Sequence, residues 1–201
     1  MARVPGTGRV VILNGSSSAG KTTLATALQA RLEADDECWV IFSWDDFVPR
    51  LPSRWHGGPE EAGLRAAEGC RYQLLDDGAV PEALLEVGTI GWRMLQGYHR
   101  VIATLARTGI DVIVDEVMIS QREWDDWAEV LAGLDVRWVA VHCDVDTVER
   151  REVERGDRHP GLARGTAHVT HRFATYDLAV NTTSRGPLEL ANRIATELSW
   201  T

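Results

Sequence analysis

The 201 residues suffice for one domain of ordinary size with a substantial core. Apolar residues make up 44% and charged residues 25%, the mix of a globular protein. A net charge of -9 argues against nucleic-acid and anionic-membrane partners, both of which need basic patches, although a local cluster runs from Arg150 to Arg164.

In chain order, Arg9–Asn14 encloses an unbroken apolar run, the pattern of a strand buried on both faces of a parallel sheet. Leu24, Leu28 and Leu32 then give Lys21–Leu32 a helical period. Cys38–Phe42 predicts a second strand that ends in Ser43-Trp44-Asp45-Asp46. Residues 50–85 are broken by Pro52, Gly57-Gly58-Pro59 and Asp76-Asp77-Gly78. A hairpin about the Asp-Asp-Gly turn and some helix over Glu60–Ala67 are expected there.

A longer helix over Gly88–Arg107 should end near Gly109. Val112–Asp115 is the third strand, Gln121–Leu131 a helix, Val136–Cys143 the fourth strand and Val145–Glu154 a helix. Gly156–Gly165 reads as a mobile loop and Thr166–Phe173 as a short helix. Leu178–Asn181 is the fifth strand, and Pro187 opens a last helix to Leu198. Strands alternating with helices predict an α/β domain over residues 1–201, built on a parallel sheet with right-handed crossovers.

The three cysteines form no CxxC pair, which predicts buried reduced thiols rather than a zinc site or disulfide framework. Val10–Leu13 is too short for a signal peptide or a membrane span, so the expected location is cytoplasmic. The six histidines show no metal-binding spacing, and His171 is expected in a packing or surface role. Some of the eight tryptophans suit the wall of a pocket for a flat organic ligand.

Gly15-Ser16-Ser17-Ser18-Ala19-Gly20-Lys21-Thr22 matches G-x-x-x-x-G-K-[ST] without a gap, between a predicted strand and a predicted helix. Glycines allow a tight loop whose N–H groups wrap phosphates, and the helix N-terminus adds partial positive charge. Lys21 is then the counter-charge to the β and γ phosphates, and the Thr22 hydroxyl a magnesium ligand. Asp115 closes the third strand at its carboxyl end, where an acid can hold that magnesium. Strand alternation turns Glu116 to the opposite side and makes it the weaker candidate.

On the acceptor side, Asp45-Asp46 ends the second strand, where a carboxylate could orient a hydroxyl and take its proton; the alternative is a helix cap at Phe47. Arg150, Arg151, Arg155 and Arg158 lead into the glycine-proline loop, with Arg151 and Arg155 on one helix face. They could clamp a moving phosphoryl group from a lid, or pair with Glu149, Glu152 and Glu154 as a solvated face.

The segments Ile12–Lys21, Val114-Asp115-Glu116-Val117, Arg151–Arg158 and Tyr176-Asp177 resemble those of the chloramphenicol phosphotransferase family. So do Leu134–Val139 and Asn181-Thr182-Thr183, and the resemblance keeps its order over most of the chain outside roughly residues 50–90. It implies a three-layer P-loop kinase fold with a five-stranded parallel sheet flanked by helices, a small lid at about residues 151–166 and an acceptor-side insertion at about 47–90. It also implies an ATP- and Mg2+-dependent 3′-O-phosphotransferase acting on an antibiotic hydroxyl, with Asp45 as the catalytic base and Arg155 and Arg158 as lid arginines. The sequence departs from the family pattern at Trp44 and Asp46 and through the 50–90 region.

The expected partner is a small-molecule hydroxyl acceptor, either chloramphenicol or another antibiotic or metabolite. Homo-oligomerisation stays open. ATP rather than GTP rests on the resemblance, since no NKxD-like motif is present. The alternatives are a nucleotide-dependent switch protein and a kinase of a nucleotide sugar.

Overall fold

The computed structural model describes residues 6–57, 63–76 and 81–198. The elements are β1 (Arg9–Asn14), α1 (Lys21–Glu33), β2 (Trp39–Ser43), β3 (His56–Gly57), β4 (Cys70–Asp76) and β5 (Glu82–Val87). There follow α2 (Thr89–Arg107), β6 (Asp111–Glu116), α3 (Gln121–Val130), β7 (Asp135–His142), α4 (Val145–Arg155), α5 (Leu162–Val169), β8 (Leu178–Asn181) and α6 (Pro187–Glu197). Short 3-10 turns occupy much of 44–55.

Five strands form one parallel sheet in the order β2-β6-β1-β7-β8. β1 sits at its centre, and its alternating side chains reach both layers. Val11 and Leu13 pack with Leu24, Leu28, Leu190 and Ile194 from α1 and α6. Val10 and Ile12 pack with Leu95, Tyr98, Ile102 and Trp127 from α2 and α3. A strand sandwiched between two helical layers has no polar side, which explains the unbroken apolar run. Among the described residues no helix is long and apolar enough to cross a membrane.

The region between β2 and α2 differs most from expectation. β4 and β5 pair antiparallel from Cys70↔Val87 to Asp76↔Glu82, so the hairpin is present, while its tip at 77–80 lies outside the described residues. β3 joins them in a second, three-stranded sheet that local pattern did not foretell. The predicted helix over Glu60–Ala67 lies partly outside the described residues, and 64–68 form turns.

The Gly156–Gly165 loop and the Thr166–Phe173 helix are also corrected: α5 begins at Leu162 and ends at Val169. Its start is fixed from a distance, because the buried Glu152 carboxylate accepts the Gly161 and Ala163 N–H groups at 2.8 and 2.7 Å. Local propensity carries no trace of a cap supplied by another helix. Gly165 lets α5 lie directly on β5, since a Cβ there would come within 2.0 Å of the Ala83 carbonyl oxygen.

The cysteine expectation holds for Cys70, whose thiol burial pushes up to about 11. It fails for Cys38, which is exposed because β2 begins one residue later, and Cys143 is half-buried.

Candidate active site

The sheet's register brings the carboxyl ends of three strands to one rim. Leu13 and Ser43 both pair with Asp115, and Asn14 pairs with Glu116. This is the switch point of a doubly wound sheet: the chain passes from β1 to β2 on one side, returns to β6, and then crosses β1 to β7 on the other side. The Gly15–Thr22 loop spans it and enters α1 at Lys21.

Ser18 and Gly20 take left-handed backbone (φ 60 and 85), which curls the loop. The loop is tied from two sides, Ser17 N–H donating to Thr166 Oγ1 at 2.9 Å and Thr182 Oγ1 to the Ala19 carbonyl at 2.7 Å, and is closed internally by Ala19 N–H donating to the Ser16 carbonyl at 3.2 Å. Lys21 Nζ donates to the Ser16 carbonyl at 2.8 Å and lies 3.6 Å from Asp115 Oδ1. Thr22 Oγ1 donates to Asp115 Oδ2 at 2.5 Å.

The expected loop, lysine, threonine and strand-end acid therefore meet at one point. Ser18 Oγ is buried there with no hydrogen-bond partner among the described residues. A curled backbone, an ammonium and an unpartnered hydroxyl fit a phosphate chain. A hydroxyl–carboxylate pair of hard oxygens fits magnesium. No cluster of three or more His, Cys, Asp or Glu side chains suited to a metal occurs among the described residues.

The same cleft continues to the acceptor side. Asp45 is exposed at its lip, and its Oδ2 accepts from Arg158 at 2.5 Å. Ser43, rather than either aspartate, caps the following turn by accepting the Asp45 N–H at 3.2 Å, so the cap alternative fails for Asp45. Arg155 also lines the cleft while pairing with Asp157 at 2.8 Å. Arg151 anchors α4 to the Thr182 carbonyl at 2.9 Å and lines the cleft beside Gly20.

Arg150 alone of the four keeps to the solvated face, 3.9 Å from Glu154. Glu149 pairs with Arg164.

Several lining residues were not singled out by sequence: Tyr72, Leu85, Leu95, His99, Glu123 and Trp127. The demotion of Glu116 needs revision. It does turn away from Asp115, but β6 ends there, so both carboxyls line one cleft. Burial pushes Glu116 up to about 8 and Glu123 up to about 7. Burial drives His99 down to about 4, with its Nδ1 2.5 Å from Asp126 Oδ2. Only Glu123 left a local mark, as the third residue after Ser120 in a capping box.

Trp44 and Trp127 are tryptophans that line the cleft. His171 has the expected packing role: its Nδ1 lies 2.8 Å from the Tyr176 hydroxyl, which meets Asn14 Nδ2 at 2.6 Å, and its ring rests on His142. Tyr176 thus props up the end of β1.

Residues 8–199 match the family described as chloramphenicol phosphotransferase-like protein. Two Mycobacterium tuberculosis proteins, named "Putative O-phosphotransferase" MT2714 and Rv2636, are each 37% identical over 199 residues, covering 96% of this chain and 83% of theirs.

Among solved structures, the M. tuberculosis APS kinase CysC in complex with AMPPNP and APS superposes with a TM-score of 0.66 at 18% identity, over 98% of this chain and 100% of that one. A gluconokinase from Sinorhizobium meliloti gives 0.61 at 15% identity, over 98% and 94%. At such identities the likeness is one of fold. The chain belongs to the chloramphenicol phosphotransferase-like family and is a P-loop phosphotransferase.

Proposed function

We propose that this protein transfers the γ-phosphate of ATP to a hydroxyl of a small molecule, with chloramphenicol, another antibiotic or a hydroxylated metabolite as the acceptor. If the acceptor is an antibiotic, the biological outcome is resistance by inactivation. The observation that carries this reading is the single cleft that opens on Lys21, Thr22 and Asp115 at one side and on Asp45 at the other.

In this reading residues 15–22 cradle the phosphates, and Thr22 and Asp115 hold the magnesium. Bound there, Mg-ATP supplies the transferable phosphoryl group and a Lewis acid that neutralises its oxygens. Lys21, Arg155 and Arg158 offset the charge that spreads over the phosphoryl oxygens. Asp45 orients the acceptor hydroxyl and takes its proton as the new oxygen–phosphorus bond forms and the bond to the ADP oxygen breaks. Arg158 must leave Asp45 for this, so its shift onto phosphate couples lid closure to release of the base.

The test is transfer from γ-labelled ATP with magnesium to a panel of hydroxylated antibiotics, chloramphenicol included. Asp45→Asn is expected to lower kcat roughly 10²- to 10⁴-fold with ATP affinity nearly unchanged. Full turnover by that variant removes Asp45 from the chemistry. Tight ATP binding with no transfer to any alcohol defeats the kinase reading.

A further inference from the structure

The far wall of the cleft is built from α2 and α3 and carries polar atoms that the transfer chemistry does not use. His99 and Trp127 are both 0% exposed, yet both line the cleft. Their rings stack at 3.9 Å between centroids, 27° from parallel. His99 Nε2 and Trp127 Nε1 have no hydrogen-bond partner among the described residues. Two unpartnered polar atoms on touching, fully buried rings are costly unless something fills them.

The donor–acceptor sense of this floor is fixed from behind. Asp126 Oδ2 lies 2.5 Å from His99 Nδ1, so that nitrogen carries the proton and Nε2 presents a lone pair. Asp126 is itself held by Gln96 Nε2 at 2.9 Å and approached by Arg100 at 3.5 Å. Trp127 Nε1–H can only donate. The cleft beside the pair is lined by the apolar Leu85, Val87, Leu95 and Met118 together with the buried carboxyls of Glu116 and Glu123.

We infer that His99 and Trp127 are specificity-determining residues: an acceptor that displaces the side chains covering their free nitrogens has its buried end read by one hydrogen bond accepted at Nε2 and one donated from Nε1–H. This rests on the kinase reading above and narrows its substrate class. The matching group is uncharged and both donates and accepts, as a second hydroxyl or an amide does. A carboxylate would meet the Nε2 lone pair, and a methyl ether would leave that lone pair unfilled. Asp126 is a positioning residue that acts through His99.

The test uses three probes that share a reacting alcohol and differ at the other end: 4-(2-hydroxyethyl)phenol, its phenolic methyl ether, and 4-(2-hydroxyethyl)benzoate. Binding is read by tryptophan fluorescence, and transfer from γ-labelled ATP. The phenol should bind and react at least about tenfold better than the ether, with the benzoate weaker again.

That preference should fall to within about twofold in His99→Phe. Trp127→Phe, which removes the N–H together with the five-membered ring, serves if the first variant fails to fold; phenol and ether both accept from that N–H, so each should bind several-fold more weakly while their ratio holds, and unchanged binding overturns the inference. A ratio near one in the wild type overturns the inference, as does failure of all three probes to bind at millimolar concentration. Preferential binding of the phenol without transfer upholds the floor, and the kinase reading then falls only if the antibiotic panel is silent as well. Transfer to all three alike defeats the floor and upholds the kinase reading.

Discussion

The two sides of the cleft are built in different ways. The donor side is eight consecutive residues, Gly15–Thr22, completed by Asp115 from a neighbouring strand in register. The acceptor side gathers Asp45, Tyr72, Leu85, His99, Glu123 and Trp127 from five separate stretches of chain. A phosphate is always the same ligand, so a backbone loop can bind it with little help from side-chain identity. An acceptor is a particular molecule, and only side chains can be particular. Under the proposed function, chemistry shared by many kinases is contiguous here and selectivity is dispersed.

If the two sides are separable, damage to one should leave the other intact. Lys21→Met should lower kcat roughly 10³-fold, in the range seen when a phosphate-directed cation is lost. Acceptor KM should change less than about threefold. A large rise in acceptor KM in steady-state assays would mean that the loop also shapes the acceptor wall, and the division would fail.

A second variant strikes the joint between the sides. Buried Glu152 holds the start of α5 through two backbone N–H groups, and Arg155 and Arg158 lie between that carboxylate and Gly161. Glu152→Ala leaves two donors without a partner and should cost about 3 kcal/mol in urea unfolding; Glu152→Gln, which keeps one acceptor oxygen, should cost about half as much. ATP KM should rise with both, because the clamp loses its frame. An unchanged ATP KM with lost stability would detach Arg155 and Arg158 from phosphate binding.

These differences also explain what could be read from the chain alone. The five-stranded sheet was legible because each strand carries its own apolar run, and the phosphate loop because its residues are adjacent. The small sheet of β3, β4 and β5 was not, since β3 is two residues long and pairs with a strand thirteen or more positions away. The start of α5 was misplaced because its cap comes from Glu152 on α4. His99 and Trp127 sit at helical spacing on amphipathic helices, where an aromatic ring reads as core; their unpartnered nitrogens become visible only when α2 and α3 are packed together.

The smallest expected effect separates burial from function on the acceptor wall. Burial raises the Glu123 carboxyl from its ordinary 4.5 to about 7. Between those values the folded chain keeps a proton that the unfolded chain has released, so unfolding gains favour as pH rises. The stability tied to this group is complete below about pH 4.5 and is lost as pH climbs through about 7. Glu123→Gln keeps the capping box with Ser120 and has nothing to titrate.

The variant should therefore gain stability relative to wild type across that window, by at most about 3 kcal/mol, since the rise from 4.5 to about 7 counts roughly 1.4 kcal/mol per unit. His99 titrates in the opposite sense over an overlapping range, from its ordinary 6.5 down to about 4, but both proteins carry it, so it cancels in the difference. Urea unfolding at both ends of the window reads the change. A pH-independent difference would mean that water reaches Glu123, and the acceptor wall would then be a wetter surface than its burial indicates.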